Sequence, residues 1–336
     1  MRSRIDGGAM VSFQPITVAQ YGLGPIGSEI ARLLMTKAWA RMVAAIDIDP
    51  AKVGRDAGEV IGIGRSLDVP ITSTLDRKAD VVVHSTGSRL KDVKDQLLSL
   101  LAAGCHVVST CEELSFPLDG GIREELQRVA RANNVTLLGT GVNPGFVMDK
   151  LPLTLTSICQ DLRSVEVIRV VDASKRREPL QRKVGAGMSR EQFEDYVRAG
   201  RIKHMGLKES LMILANGLAV ELDQVGEEQI LPVMAEAPIV TEYLRVEPGQ
   251  VAGVHQTIRG EKRGVLTLDL DIRMFVGAVD PRDEVIIRGT PDVRARIEGG
   301  VHGDRATAAM AVNCIPRVVA ARPGVLTMDD IPISFR

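Results

Sequence analysis

Residues 16–47 constrain this chain more than any other stretch. A β-branched, mostly apolar run, Ile16-Thr17-Val18-Ala19-Gln20-Tyr21, breaks into Gly22-Leu23-Gly24-Pro25-Ile26-Gly27, and a helix-patterned stretch follows over 28–37. A second apolar run over 42–46 ends in Asp47. Strand, glycine turn, helix, strand and acid, in that order, make a βαβ unit that builds a parallel sheet and offers a dinucleotide site at its edge. Gly22 permits the tight turn, Gly24 lets backbone approach a pyrophosphate, and Gly27 lets the helix pack closely on the strand. The helix start at Pro25, Ile26 and Gly27 aims amides and a positive dipole end at the phosphates. Asp47 stands about 20 residues beyond the last glycine, where a carboxylate binds ribose hydroxyls. A glycine motif alone marks many ordinary turns; the flanking strands and the spaced acid make this one specific.

The 336 residues suffice for two domains with their own cores. Lys and Arg number 42 against 43 Asp and Glu, a net charge of -1, so no global field favours nucleic acid or an anionic membrane. No apolar run reaches spanning length. Residues 1–14 carry charges without an apolar signal core and are expected to be a loose tail on a cytoplasmic protein. Cys105, Cys111, Cys159 and Cys314 lie far apart and read as buried free thiols. The five histidines show no metal-ligand spacing, so no metal site is expected.

Strand and helix patterns then alternate: strands over 81–85, 106–110 and 135–138, helices over 91–103 and 122–133. Such alternation predicts an α/β Rossmann domain, a doubly wound parallel sheet with helices on both faces. Ligands bind beyond the C-terminal strand ends, which singles out 22–27, 47–49, 85–88, 110–114 and 139–145. Ser85, Thr86, Thr110, Cys111 and Asn143 are accordingly expected beside the cofactor. Beyond residue 145 the texture changes. A strand pattern over 164–172, helices over 190–199 and 207–218, and β-rich runs over 239–246, 253–258, 265–275 and 284–288 predict an antiparallel sheet with helices, a second α+β domain. A last helix is expected over 304–321.

Chemistry concentrates at Ser109-Thr110-Cys111-Glu112-Glu113-Leu114, on a strand exit facing the redox end of the cleft. A partly desolvated carboxylate there has a tunable pKa and can act as a base or hold an ammonium. The same residues fit helix capping, since Thr110 and Glu113 match S/T-x-x-E. Gly139-Thr140-Gly141-Val142-Asn143-Pro144-Gly145-Phe146 reads both as a ligand-facing exit and as an interdomain hinge. The dense run from Lys175 to Lys183 reads as a solvated loop or subunit contact, or as a source of an arginine for a substrate carboxylate. His204, just before a helix, is either structural or substrate-facing.

Together these segments resemble the dihydrodipicolinate-reductase-like dehydrogenases, and within them the 2,4-diaminopentanoate dehydrogenase and native amine dehydrogenase family. The resemblance runs through STCEEL (109–114), GTGVNPGF (139–146), DASKRREPLQRKVGAG (172–187), HMGLKES (204–210) and GDRATAAMAVNCIP (303–316). It implies a Rossmann domain of 1–146 plus 303–336, interrupted by a substrate-binding and dimerisation domain of 147–302. It also implies a homodimer and reversible NAD(P)-dependent oxidative deamination of an amine to a ketone plus ammonia. A glutamate of the STCEEL segment is then the catalytic carboxylate, either Glu112 or Glu113. The H-H-x-x-K-x-D-x-P-S-G-T signature of true dihydrodipicolinate reductases is absent, which argues against that reaction. Asp47 favours NAD over NADP, because a carboxylate repels a 2′-phosphate, although Arg65 or Lys52 can soften the preference. For the substrate, Arg176, Arg177 or Arg182 is expected to meet a carboxylate if there is one, and Phe146, Met148, Leu180, Met205 and His204 to line the pocket. The competing functions are reduction of an imine, semialdehyde or hydroxyl substrate on the same fold, and a non-catalytic dinucleotide sensor.

Overall fold

The structure, a computed structural model, describes residues 14–336; the tail expected over 1–14 lies, except for Gln14, outside the described residues. The chain begins β1 (Ile16–Tyr21), α1 (Pro25–Leu34), β2 (Ala40–Ile46), α2 (Ala57–Val60), β3 (Ile71–Thr72), β4 (Val81–His84), α3 (Leu90–Ala102), β5 (His106–Ser109), α4 (Gly120–Ala132) and β6 (Thr136–Gly139). It continues with α5 (Lys150–Thr156), β7 (Leu162–Asp172), α6 (Glu178–Lys183), α7 (Arg190–Arg198) and α8 (Leu207–Gly217). There follow β8 (Gln224–Val225), β9 (Gln229–Met234), β10 (Ile239–Val240), β11 (Arg245–Val246), β12 (Val251–Lys262), β13 (Leu266–Phe275), β14 (Arg282–Gly289) and β15 (Val293–Glu298). Finally α9 (Gly303–Val319) leads into β16 (Gly324–Leu326).

The first sheet runs β16-β6-β5-β4-β1-β2-β3 with every pair parallel. Sequence order reverses between β1 and β4, so the exits of those two strands diverge and open the crevice where ligands bind. The β-branched residues of the strands alternate between two cores. Ile30 and Leu34 of α1 with Met310, Ala311 and Ile315 of α9 cover Val18, Val83, Val108 and Leu138. On the other face, Leu97, Leu101, Leu126 and Ala130 of α3 and α4 cover Ala19, Val82, Val107 and Leu137. Each large aliphatic side chain so buried contributes about 1.5–3 kcal/mol.

The second sheet runs β15-β14-β7-β13-β12-β8, with β9 also pairing β12. It is mixed rather than antiparallel as expected. β7 and β13 are parallel neighbours, because the chain between them passes through α6, α7 and α8 before re-entering the sheet, while β12-β13 and β14-β15 are hairpins. One face is sealed by α5 and α8, with Val165, Val167, Leu268 and Leu270 packing on Leu211 and Leu214. The run over 239–246, expected as one strand, is instead a tight antiparallel pair, β10 and β11. The Thr241 hydroxyl accepts from the backbone N–H of Tyr243 and Leu244 and turns the chain there. The basic run expected as a loop is partly α6, with Pro179 in its first turn.

Candidate active site

The glycine turn is built as its spacing requires. Gly22 has φ +88, and a Cβ on it would lie 2.6 Å from the Ser85 carbonyl oxygen. A Cβ on Gly27 would lie 1.8 Å from the Gly22 oxygen, so α1 rests directly on the turn. Gly24 differs: a Cβ there meets nothing within 4 Å. Gly24 is also the N-cap of α1, without a side-chain cap and with no acid in the first turn. The orphan N–H groups of Ile26 and Gly27 therefore face an open side with no competing anion, a donor set that suits a pyrophosphate. Asp47 accepts from the N–H of Leu23 at 2.8 Å, from Asp49 N–H at 2.9 Å and from Lys52 Nζ at 3.1 Å. Burial raises its pKa, but the two N–H donors and Lys52 outweigh that and leave the carboxyl below the usual range.

A cavity of about 380 Å³ opens beside this turn, between the two sheets. Ile26, Ser85, Thr86, Ser88, Thr110, Glu112, Val142 and Asn143 line it from the strand exits. Arg169, Leu180, Lys183, Lys203, His204 and Met205 line it from the second part, and Asp304 and Thr307 from α9. Below the β4 exit, fully buried His84 bonds Ser109 Oγ at 2.9 Å and Thr86 Oγ1 at 2.8 Å, which fixes the heights of both exits.

The two adjacent glutamates separate here. Glu112 lies on the cavity wall, and Glu113 does not. Glu113 Oε2 accepts from the N–H of Leu90 at 2.7 Å, serving the start of α3, whose own N-cap side chain makes no such bond. The capping chemistry expected of this segment is thus real but acts on another helix. Burial raises the pKa of Glu112 and Glu113 adds to the rise, against the opposing pull of its own N–H, the Ser88 hydroxyl and Lys183. Asn143 is buried, and its Oδ1 accepts from Ser210 Oγ at 3.3 Å. Its Nδ2 has no partner among the described residues, which leaves a donor for a ligand. His204 is held through its backbone by buried Gln256, whose Oε1 accepts at 2.8 Å and whose Nε2 donates at 3.1 Å. Burial pushes the imidazole down to about 4, with Arg169 and Lys183 adding to the fall, so the ring is neutral.

Several expected contacts are not made. Met148 is fully buried in the core of the second sheet and Phe146 packs between cores, so neither lines the cavity; the turn after Gly145 directs both inward to hydrophobic partners. The Cys111 side chain is also sealed off. Its Sγ donates to the Ser88 carbonyl at 3.2 Å, and burial pushes the thiol up to about 12. Arg176 does line the cavity, as expected, but it is already paired with Asp304 at 2.7 Å; Arg177, which does not, reaches the same carboxylate at 3.6 Å, and Arg182 pairs with Glu178 at 2.7 Å. Sequence reasoning missed Lys183, Lys203, Asp304 and Thr307 as wall residues, since only the crossing of the two parts brings them there. Among the described residues no group of His, Cys, Asp and Glu could hold a metal, and no helix is long and apolar enough to cross a membrane.

Comparison with known proteins adds four findings. The family model of the 2,4-diaminopentanoate dehydrogenase C-terminal domain matches residues 146–335. The 2,4-diaminopentanoate dehydrogenase of Acetoanaerobium sticklandii is 29% identical over 336 residues, covering 95% of this chain and 94% of that one. The solved amine dehydrogenase from Mycobacterium smegmatis superposes with a TM-score of 0.83 at 26% identity, covering 96% of this chain and 97% of that one. A dihydrodipicolinate reductase from Paenisporosarcina sp. TG-14 superposes with a TM-score of 0.50 at 15% identity over 95% of this chain and 100% of that one, a likeness of fold alone. The fold is thus the α/β, dihydrodipicolinate-reductase-like one that the sequence suggests.

Proposed function

This chain belongs to the 2,4-diaminopentanoate dehydrogenase family, on an NAD(P)-dependent oxidoreductase fold, and from that premise we propose that it is an amine dehydrogenase acting reversibly on an amine to give a ketone and ammonia. The observation that carries this reading is Glu112: a half-buried carboxylate with a raised pKa, on the cavity wall that Thr110 and Asn143 also line. The names of the two family relatives support it, each being a dehydrogenase of an amine.

The bound dinucleotide supplies a hydride acceptor. Gly24, Ile26 and Gly27 bind its pyrophosphate, and Asp47 its ribose hydroxyls. The ionised Asp47 favours NAD, while Lys52, 3.1 Å from it, leaves NADP usable. Glu112 takes a proton from the substrate ammonium. Once that proton has passed to solvent, the restored carboxylate stabilises the iminium carbon–nitrogen cation that develops on the substrate as its hydride leaves. The same carboxylate takes the proton of the water that adds to that carbon, before ammonia leaves. Neutral His204 and the Asn143 amide orient the substrate by hydrogen bonds without adding charge. In reverse the site aminates a ketone.

Glu112→Gln removes the base. The expected outcome is loss of ammonium-dependent NADH oxidation by on the order of a thousandfold, with NADH binding unchanged by fluorescence titration. NADH oxidation with a ketone panel that needs no ammonium would replace this reading with a plain reductase. Deamination needs ionised Glu112, so kcat/KM for the amine falls as pH drops through a pKa above the free-carboxylate range, and a pH–rate profile reads it. We also propose a homodimer through the second sheet. Its face away from α5 and α8 presents half-buried Glu166, Ile168, Thr257, Asp271 and Ile286. Light scattering should give twice the chain mass of 36.3 kDa.

A further inference from the structure

Asn143 lines the cavity yet is only 7% exposed. Behind it stand two polar side chains that the proposed reaction does not use. Ser210 of α8 and Asp149, the N-cap of α5, are both fully buried, and neither lines the cavity. Ser210 Oγ lies 3.3 Å from Asn143 Oδ1 and 2.8 Å from Asp149 Oδ2. Asp149 Oδ2 also accepts from the N–H of Gly145 at 2.8 Å, and its Oδ1 from the N–H of Lys150 at 2.6 Å. The amide thus meets Ser210 behind the wall through Oδ1, which leaves the unpartnered Nδ2 arm on the cavity side.

A serine hydroxyl has one hydrogen, and here it faces two oxygens. Were Asp149 a carboxylate, the hydrogen would go to it, in the shorter and charge-assisted bond, and the Ser210 lone pairs would face Asn143. The amide would then have to turn Nδ2 to Ser210 and Oδ1 to the cavity. As a carboxylic acid, Asp149 donates to Ser210, Ser210 donates to Asn143 Oδ1, and Nδ2 is left for a ligand. The hydrogen-bond partners of Asp149 are two backbone N–H groups and a hydroxyl, all uncharged, and a fully buried charge without a counter-charge is the costlier state. Burial pushes this carboxyl up, with Asp329 adding, against the pull of Gly145, Ser210 and Lys150.

We infer that Asp149 and Ser210 are positioning residues of this cavity: a neutral relay from acid to hydroxyl to amide oxygen locks Asn143 with its NH2 toward the ligand, as a donor for a carbonyl oxygen. Two ligands carry such an oxygen, the carboxamide of the dinucleotide and the ketone substrate. The ketone source rests on the proposed reaction; the dinucleotide source does not.

The test uses the full chain, with NADH titrated by fluorescence and with 2-pentanone and 4-oxopentanoate turned over in the presence and absence of ammonium. If the carboxamide is the ligand, Ser210→Ala should weaken NADH binding about tenfold. If the ketone is, NADH affinity should hold and ketone KM should rise about tenfold, with kcat less affected. Asn143→Asp keeps the size but turns the donor into an acceptor, and should worsen the same quantity by about tenfold or more. In an Asn143→Ala background Ser210→Ala should add nothing, because Ser210 acts through the amide; a serine that only supports the fold would give no such coupling. Parent values of both NADH affinity and ketone KM in Ser210→Ala overturn the inference. So does a Ser210→Ala effect that persists undiminished without the Asn143 amide. So do parent values in Asn143→Asp, which would put the amide oxygen on the cavity side and make Asp149 ionised. Should Ser210→Ala fail to fold, Asn143→Asp decides alone. Ketone turnover indifferent to ammonium, with the Ser210–Asn143 coupling intact, would keep the relay and reject the amine reaction.

Discussion

Glu112 and Glu113 are neighbours in sequence with the same chemistry, yet one backbone step turns the first into the cavity and the second toward α3. Glu113→Ala removes an acceptor for a helix-start N–H, so it should cost about 1 kcal/mol in urea denaturation. The sequence could name the pair but not divide it, because both readings draw on the same residue types and only the strand exit's direction distinguishes them. Glu209 shows what the sequence did not flag at all. It sits in the first turn of α8, 8% exposed, and burial with the charges of Glu228 and Glu113 raises its carboxyl from 4.5 to about 7. A folded-state pKa raised in this way contributes stability that is full below pH 4.5 and is lost as pH rises through about 7. Stability should therefore fall by roughly 3 kcal/mol across that window, and Glu209→Gln should flatten the fall in urea melts run as a pH series.

At the scale of elements, the turn between β1 and α1 was legible because its glycines answer local demands. Gly27 is needed by the protein: a methyl there strikes the Gly22 carbonyl. Gly24 is needed only by a ligand, since a methyl there meets nothing of the protein. Gly27→Ala should thus destabilise the fold by several kcal/mol, about 2 or more in thermal melts. Gly24→Ala should melt like the parent and lose on the order of tenfold in NADH affinity by fluorescence titration. The first-domain strands were read from β-branched runs, which local pattern fixes. The short strands β10 and β11 were not, because one Thr241 side chain ends a run whose apolar pattern continues through it. The edge strand β15, with Val293, Ala295 and Ile297 alternating with charge, was legible but unread.

For the whole molecule, we propose that residues 14–146 with 303–336 move as one body against 147–302. Arg176 and Arg177 on one side and Asp304 on the other then form a strap across the cavity mouth. Asp304→Asn should loosen closure and raise substrate KM about tenfold with kcat less affected, in steady-state kinetics. Deeper in, Arg169 and Asp283 are a fully buried pair whose loss, in Asp283→Asn, should cost about 3–5 kcal/mol by denaturation, since it strands a cation beside His204. The sequence by itself determined the parallel sheet, the glycine cradle and the strand exits that carry the chemistry, because these follow from side-chain period and backbone sterics over a few neighbouring residues. Only the tertiary structure decided that Glu112 faces the cavity and that Arg169, Arg176 and Arg177 are already paired with carboxylates. Those outcomes depend on which charges meet across residues more than a hundred positions apart, and no local spacing encodes that.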